Sequence, residues 1–135
     1  MTKQKLSQFT WLKHEINILT QKIIQIESYL EGKHTNKSNL TFLGTNQVLA
    51  SEFRSELAHL KKVLQQKKSA AITELAALES YIGHIHESQI RTIFTLRYID
   101  NLNWTQVAWR LGNNTADSVR MIHNRFLERQ TKDAS

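Results

Sequence analysis

At 135 residues the chain has the length of one domain and is too short for two large ones. Eighteen Lys and Arg against twelve Asp and Glu leave a net charge of +6, and 40% apolar residues provide a core of modest size. No Cys, no Pro and four well-separated Gly exclude disulfides, thiolate metal sites, a Cys nucleophile, the P-loop and the Rossmann fingerprint, and disfavour an all-β fold with Gly and Pro at its turns. No run approaches the length of a membrane span, and the first residues hold no apolar signal-peptide core. A cytoplasmic protein with no membrane contact is the expectation, and the sequons at Asn36, Asn39, Asn103 and Asn113 carry no weight.

From Phe9 the apolar positions run Phe9, Leu12, Ile16, Leu19, Ile23, Ile26 and Leu30. The alternation of three and four is a heptad seam, narrower than the stripe of an ordinary surface helix. Gly32 ends it, and the polar stretch Lys33 to Asn46 reads as a connecting loop, with Leu40, Phe42 and Leu43 pinning it to the helices. A second seam follows through Phe53, Leu57, Leu60 and Leu64, then Ala71, Leu75, Leu78, Ile82 and Ile85. Its register is continuous if Lys67 or Lys68 takes the missing core position, which makes one wet layer and a point where the helix can divide. A single helix from Gln47 to Ile82 would be about 54 Å long at 1.5 Å per residue. Such a helix must pack its stripe against the first helix, against a second copy of the chain, or against both. The expectation is a coiled-coil-like helical hairpin over residues 1–86, acting as scaffold and homodimer contact. Its basic rim (Lys61, Lys62, Lys67, Lys68) reads as a solvated face.

The composition changes after Glu87. Before Ser88 there are ten Lys and one Arg; from Ser88 onward there are six Arg and one Lys. Guanidinium is the cation whose planar fork matches phosphates and guanine edges. Ser88 can cap a helix carrying Ile90, Ile93, Phe94, Leu96, Arg97, Tyr98 and Ile99. Asp100 and Asn101 mark a turn, and Asn103 with Gln106 has the form of a capping box. The helix from Trp104 to Leu111 places Trp104, Val107, Ala108 and Leu111 on one side, and Gly112 supplies the left-handed turn that ends it. Asn113, Asn114 and Thr115 offer the cap of a last helix, with Asp117 in its first turn and Val119, Ile122 and Phe126 buried. Residues 87–135 thus read as a trihelical helix-turn-helix unit, and the fold class as all-α. On the last helix Asp117, Arg120, Met121 and Asn124 point away from the buried stripe, with Ser118 and Arg125 on its flanks. Arg120 and Asn124 have the chemistry to read base edges, and Thr115, Ser118 and Arg125 to hold phosphates.

Leu96-Arg97-Tyr98-Ile99, Trp104-Thr105-Gln106-Val107-Ala108, Leu111-Gly112 and Ser118-Val119-Arg120 resemble the fourth conserved region of sigma factors, which reads promoters through a helix-turn-helix. More closely, Asn114 to Met121 with Arg125-Phe126-Leu127 is similar to ArpU/RinA-type phage regulators of Gram-positive bacteria. That resemblance, over about forty of the 135 residues, implies a variable helical N-terminal part before a sigma-like DNA-binding unit. It also implies activation of late phage genes inside a bacterial host. Because the other sigma regions are missing, the chain would act beside host RNA polymerase or recruit it.

Arg97 and Tyr98 fall where that group keeps a packed pair, so a structural role is expected of both. Trp104 reads as core, Trp109 as facing the hairpin or a partner, and His123 as a partly buried, hydrogen-bonded ring. His84, His86 and Glu87 have metal-ligand chemistry, but His at i and i+2 diverge on a helix, so no metal site is expected. No cofactor is expected either. Nothing fixes a nucleophile beside a base, and no enzyme is expected. Three functions remain open. The first is a sequence-specific regulator bound to double-stranded DNA at a promoter or operator. The second is a phage small terminase subunit that recognises a packaging site. The third is a helical adaptor that binds protein and no DNA.

Overall fold

The computed structural model describes residues 1–32 and 47–133, and the expected loop with Leu40, Phe42 and Leu43 lies outside the described residues. The fold is all-helical, as expected. It comprises α1 (Lys3–Leu30), α2 (Gln47–Gly83), α3 (Ser88–Phe94), a π-helical turn (Thr95–Ile99), α4 (Trp104–Leu111) and α5 (Ala116–Asp133). No described helix is long and apolar enough to cross a membrane.

The chain forms two compact units, one from Leu12 to Ala71 and one joining Met1–Trp11 to Ile72–Ser135. In the first, α1 and α2 run antiparallel within one chain. Glu15 pairs with Lys67, Glu27 Oε1 lies 3.7 Å from Lys61 Nζ, and the Tyr29 and Phe53 rings meet edge-on at 5.1 Å. The seam positions behave as a narrow stripe: Leu12, Ile23 and Ala71 are buried, while Ile16, Leu19, Ile26, Phe53, Leu57, Leu60 and Leu64 are half-buried. Lys67, not Lys68, fills the gap in the register. Its half-buried stem lies along the seam and its ammonium reaches the Glu15 carboxylate, so the layer is wet but satisfied. Helix α2 passes this layer without dividing.

The second unit has the denser core. Leu6 of α1 and Leu78 and Ile82 of α2 pack with Ile85, Ile90, Ile93, Phe94, Tyr98, Val107, Ala108, Val119 and Leu127. Phe94, with no exposed surface, lies between the rings of Tyr81 (6.3 Å), Tyr98 (5.5 Å), His123 (5.0 Å) and Phe126 (5.3 Å, edge-on). Aromatic pairs in such tilted and edge-on arrangements gain beyond their buried area. Tyr81 also donates a hydrogen bond to Gln130 Oε1.

Ser88 is not the cap of α3. Glu87 takes the cap position with extended backbone (φ −85°, ψ 120°) and no side-chain cap bond, and Ser88 is already helical. The joint before α3 is held by Arg91, whose Nη1 donates to the carbonyls of Ile85 (2.6 Å) and His86 (3.0 Å). This guanidinium ties down the carbonyls of the incoming chain, while α3 begins without a side-chain cap. His84, in the same joint, has its Nδ1 2.6 Å from the Ser80 carbonyl. Among the described residues no group of three His, Cys, Asp or Glu is placed to hold a metal.

Candidate nucleic-acid interface

The unit that carries the candidate site turns sharply twice. After α3 the helix widens by one residue, with Asp100 N bonded to Thr95 O and Leu102 N to Leu96 O, both at 3.0 Å. The widened turn ends at Asn101, whose φ of 60° suits a residue type that tolerates the left-handed region. Arg97 secures the reversal, donating to Leu102 O at 3.0 Å while its guanidinium lies over the Trp104 ring at 4.5 Å. Arg97 and Tyr98 therefore have the expected structural roles, and with Arg91 two of the six C-terminal arginines are engaged in holding backbone.

Helix α4 opens with the expected box: Asn103 Oδ1 accepts from Gln106 N at 2.8 Å, and Gln106 Oε1 accepts from Asn103 N at 2.9 Å. Val107 and Ala108 are buried, and Trp104 and Leu111 are half-buried beside them. Trp109 projects from the opposite side and is 80% exposed. Gly112 ends α4, its N–H reaching Ala108 O at 3.1 Å. Its φ of 70° comes with ψ 151°, so the left-handed helical residue of this turn is the next one, Asn113, at φ 52°. Asn114 Nδ2 then donates to Gly112 O at 2.7 Å. Thr115 caps α5 as expected, accepting from Ser118 N through Oγ1 and from Val119 N through its carbonyl, both at 3.1 Å.

On α5 the buried positions are Val119, His123 and Leu127, with Ile122 and Phe126 half-buried. The stripe thus follows i, i+4 steps rather than the expected Val119, Ile122 and Phe126, because the His123 ring packs against Phe94 and against Trp104 at 4.8 Å. This rotation sets where the candidate contact residues lie. Ser118, Arg120, Met121 and Arg125 are exposed, and Met121 (47% exposed) is near the centre of the outward face. Asn124 lies at the edge of the core, half-buried, with Oδ1 2.9 Å from His123 Nδ1. Arg120 Nη2 lies 3.0 Å from Asp117 Oδ1, an exposed i, i+3 pair. Thr115 Oγ1 is occupied by its cap bond. Ser118, Arg120, Met121, Asn124 and Arg125 therefore share the outer half of one helix, with Thr115 at its start. Farther along, Arg129 stands 3.9 Å from Glu87 and over the Phe126 ring at 5.9 Å, in a groove of both charge signs between α3 and α5.

No family model, curated protein or solved structure matches the chain. The resemblance to phage regulators thus rests on the sequence motifs alone.

His123, expected as a partly buried, hydrogen-bonded ring, is hydrogen-bonded and buried more deeply than expected. At 1% exposed it is buried, and burial holds its pKa below the ordinary 6.5. The bond to Asn124 opposes that shift, and the positive Lys3 and Arg97 add to it. Its partner Tyr98 is pushed up to about 12, chiefly by burial. Between the folded pKa and 6.5 the unfolded chain binds a proton that the native chain does not, so stability is full above this window and falls as pH is lowered through it. Urea unfolding at about pH 7.5 and about pH 5 should show the wild type losing more stability than His123→Gln. Equal losses would mean that the imidazole is not held neutral in the core.

Proposed function

We propose that the protein is a sequence-specific regulator that binds double-stranded DNA, with α5 lying in the major groove. The observation that supports this most is the division of α5 into two faces. One is built into the aromatic core, and the other carries Ser118, Arg120, Met121, Asn124 and Arg125 after a capped, tight turn from α4. A short helix, a turn and an exposed helix bearing Arg and Asn is the arrangement that brings side chains to base edges while its ends contact phosphates. On this reading Arg120 and Asn124 face bases, and Arg125, Ser118 and Thr115 face the backbone. The resemblance to ArpU/RinA-type regulators supports a phage late-gene activator working beside host RNA polymerase in the bacterial cytoplasm.

Selection of sheared genomic fragments by the full chain at about 150 mM salt tests the reading, since salt of that order suppresses the sequence-independent background. Sharp enrichment beside a promoter is expected. A peak at a packaging-gene boundary would favour a small terminase subunit, and a flat profile would favour an adaptor that binds protein only.

A homodimer through the paired helices belongs to the same proposal. In the Leu12–Ala71 unit, Ile18 and Ile24 stay 56% and 51% exposed beside a seam that one antiparallel pair leaves half-buried. Native mass spectrometry should give a dimer; a ring of many subunits would point to the terminase.

A further inference from the structure

His123 is the buried polar side chain of the described core, and it is bonded to the candidate contact residue Asn124. Its two ring nitrogens face different partners. Nε2 is 2.5 Å from the Tyr98 hydroxyl, and Nδ1 is 2.9 Å from Asn124 Oδ1. The Phe94 and Trp104 rings pack against the imidazole and limit how it can turn. A neutral imidazole offers one donor and one acceptor. The Tyr98 side chain is buried, and among the described residues His123 is the hydrogen-bond partner of its hydroxyl. A buried hydroxyl hydrogen needs an acceptor, so it goes to Nε2. The ring proton is then on Nδ1 and is donated to Asn124 Oδ1. The opposite polarity would leave the Tyr98 hydrogen without an acceptor.

We propose that Tyr98 and His123 form a buried positioning chain that holds Asn124 Oδ1 toward the core, so that the Asn124 amide NH₂ faces outward and reads a guanine through its N7 and O6. The proposal rests on the duplex-binding role of α5 given above. The carboxamide is planar, so fixing the oxygen on the core side fixes the nitrogen on the other. An outward NH₂ is a pure donor. Guanine offers two acceptors in the major groove, whereas adenine pairs with Asn only when the amide supplies an acceptor as well as a donor. The chain thus sets which purine Asn124 prefers, although neither Tyr98 nor His123 reaches the DNA. Both are positioning residues.

The test is selection from a pool of random duplexes by the full-length wild type, Asn124→Ala, Tyr98→Phe and His123→Gln, with thermal melts to confirm folding. Asn124→Ala should erase a guanine preference at one base pair. Tyr98→Phe should weaken the preference at that same position by about five- to tenfold and leave the others unchanged. Gln at position 123 can accept from Tyr98 and donate to Asn124, so His123→Gln should retain the preference. Nitrogen chemical shifts of the ring in the free protein should show the proton on Nδ1. A proton on Nε2 overturns the proposal without any DNA in the experiment. So does adenine at the Asn124 position, or a Tyr98→Phe effect that is absent or spread evenly over all positions. If the wild type selects no sequence at all, the DNA-binding role falls and the inference falls with it. The ring tautomer then reports separately on whether the Tyr98–His123–Asn124 chain exists.

Discussion

Phe94→Ala is expected to cost about 3–5 kcal/mol, the range for truncating a large aromatic side chain in a closed core. The site justifies that range. Phe94 has no exposed surface, and the rings of Tyr81, Tyr98, His123 and Phe126 stand around it. These come from α2, the π-helical turn and α5, so no one helix can shift to fill the space without pulling the others. A domain of this size holds about 5–15 kcal/mol in all, so the midpoint of thermal unfolding should fall by roughly 10–20 °C. Phe94→Leu should cost markedly less, because most of the volume is kept. If alanine and leucine moved the midpoint equally and slightly, the ring cluster would not be the close-packed centre described above.

Arg120→Ala should leave the fold intact and remove about 1–3 kcal/mol of discrimination at one base pair, provided its contact is bidentate. Its guanidinium lies 3.0 Å from Asp117 in an exposed pair on one helix face. Exposed i, i+3 pairs on a helix contribute only about 0.2–0.5 kcal/mol. The pair therefore holds the side chain near the start of α5 without fixing it there, and binding can break it cheaply. Competition titrations with duplexes altered one base pair at a time would read the effect. A loss spread evenly over every duplex would reassign Arg120 to the phosphate backbone.

Much of this fold was legible because its signals are local. Asn103 and Gln106 form the box their spacing announces, Thr115 caps α5, and a glycine stands where α4 ends. Each depends on three or four neighbouring residues, which is the range over which a sequence pattern is unambiguous. The heptad alternation likewise located both long helices, and the break in it at Lys67 located the wet layer. What could not be read depends on remote partners. Leu6 lies in the core although the seam was counted from Phe9, because the helices that cover it are encoded at the other end of the chain. The cap position of α3 falls on Glu87 rather than Ser88, and the joint before it is held by Arg91, which reaches back to two carbonyls. The π-helical turn shifts the periodicity by a single residue, less than an apolar pattern can resolve.

The face of α5 that carries the candidate residues was legible in the sequence, the details of its geometry less so. Ser118, Arg120, Met121, Asn124 and Arg125 do share the outer half of α5, with Thr115 capping its start. Counting only apolar residues, however, placed the buried stripe on Val119, Ile122 and Phe126. His123 was expected beside that stripe as a partly buried, hydrogen-bonded ring, but not as its central position between Val119 and Leu127, and its bond to Asn124 was not foreseen. The available clue was the i, i+4 spacing of Val119, His123 and Leu127, which fits a core face only if a tyrosine elsewhere satisfies the imidazole.

The presence of Leu6 in the same core as Leu127 has a consequence for how the molecule is made. A ribosome releases the first of these residues long before the last, so the opening turns of α1 wait for partners that do not yet exist. Contacts of such sequence separation carry a large closure entropy and slow the search for the native state. The paired helices, whose contacts are nearer in sequence, can form while the rest is still being synthesised. Helices α4 and α5 emerge last, and a nascent chain interrupted before α5 has the paired helices but lacks Val119, His123 and Leu127, without which the core around Leu6 stays open.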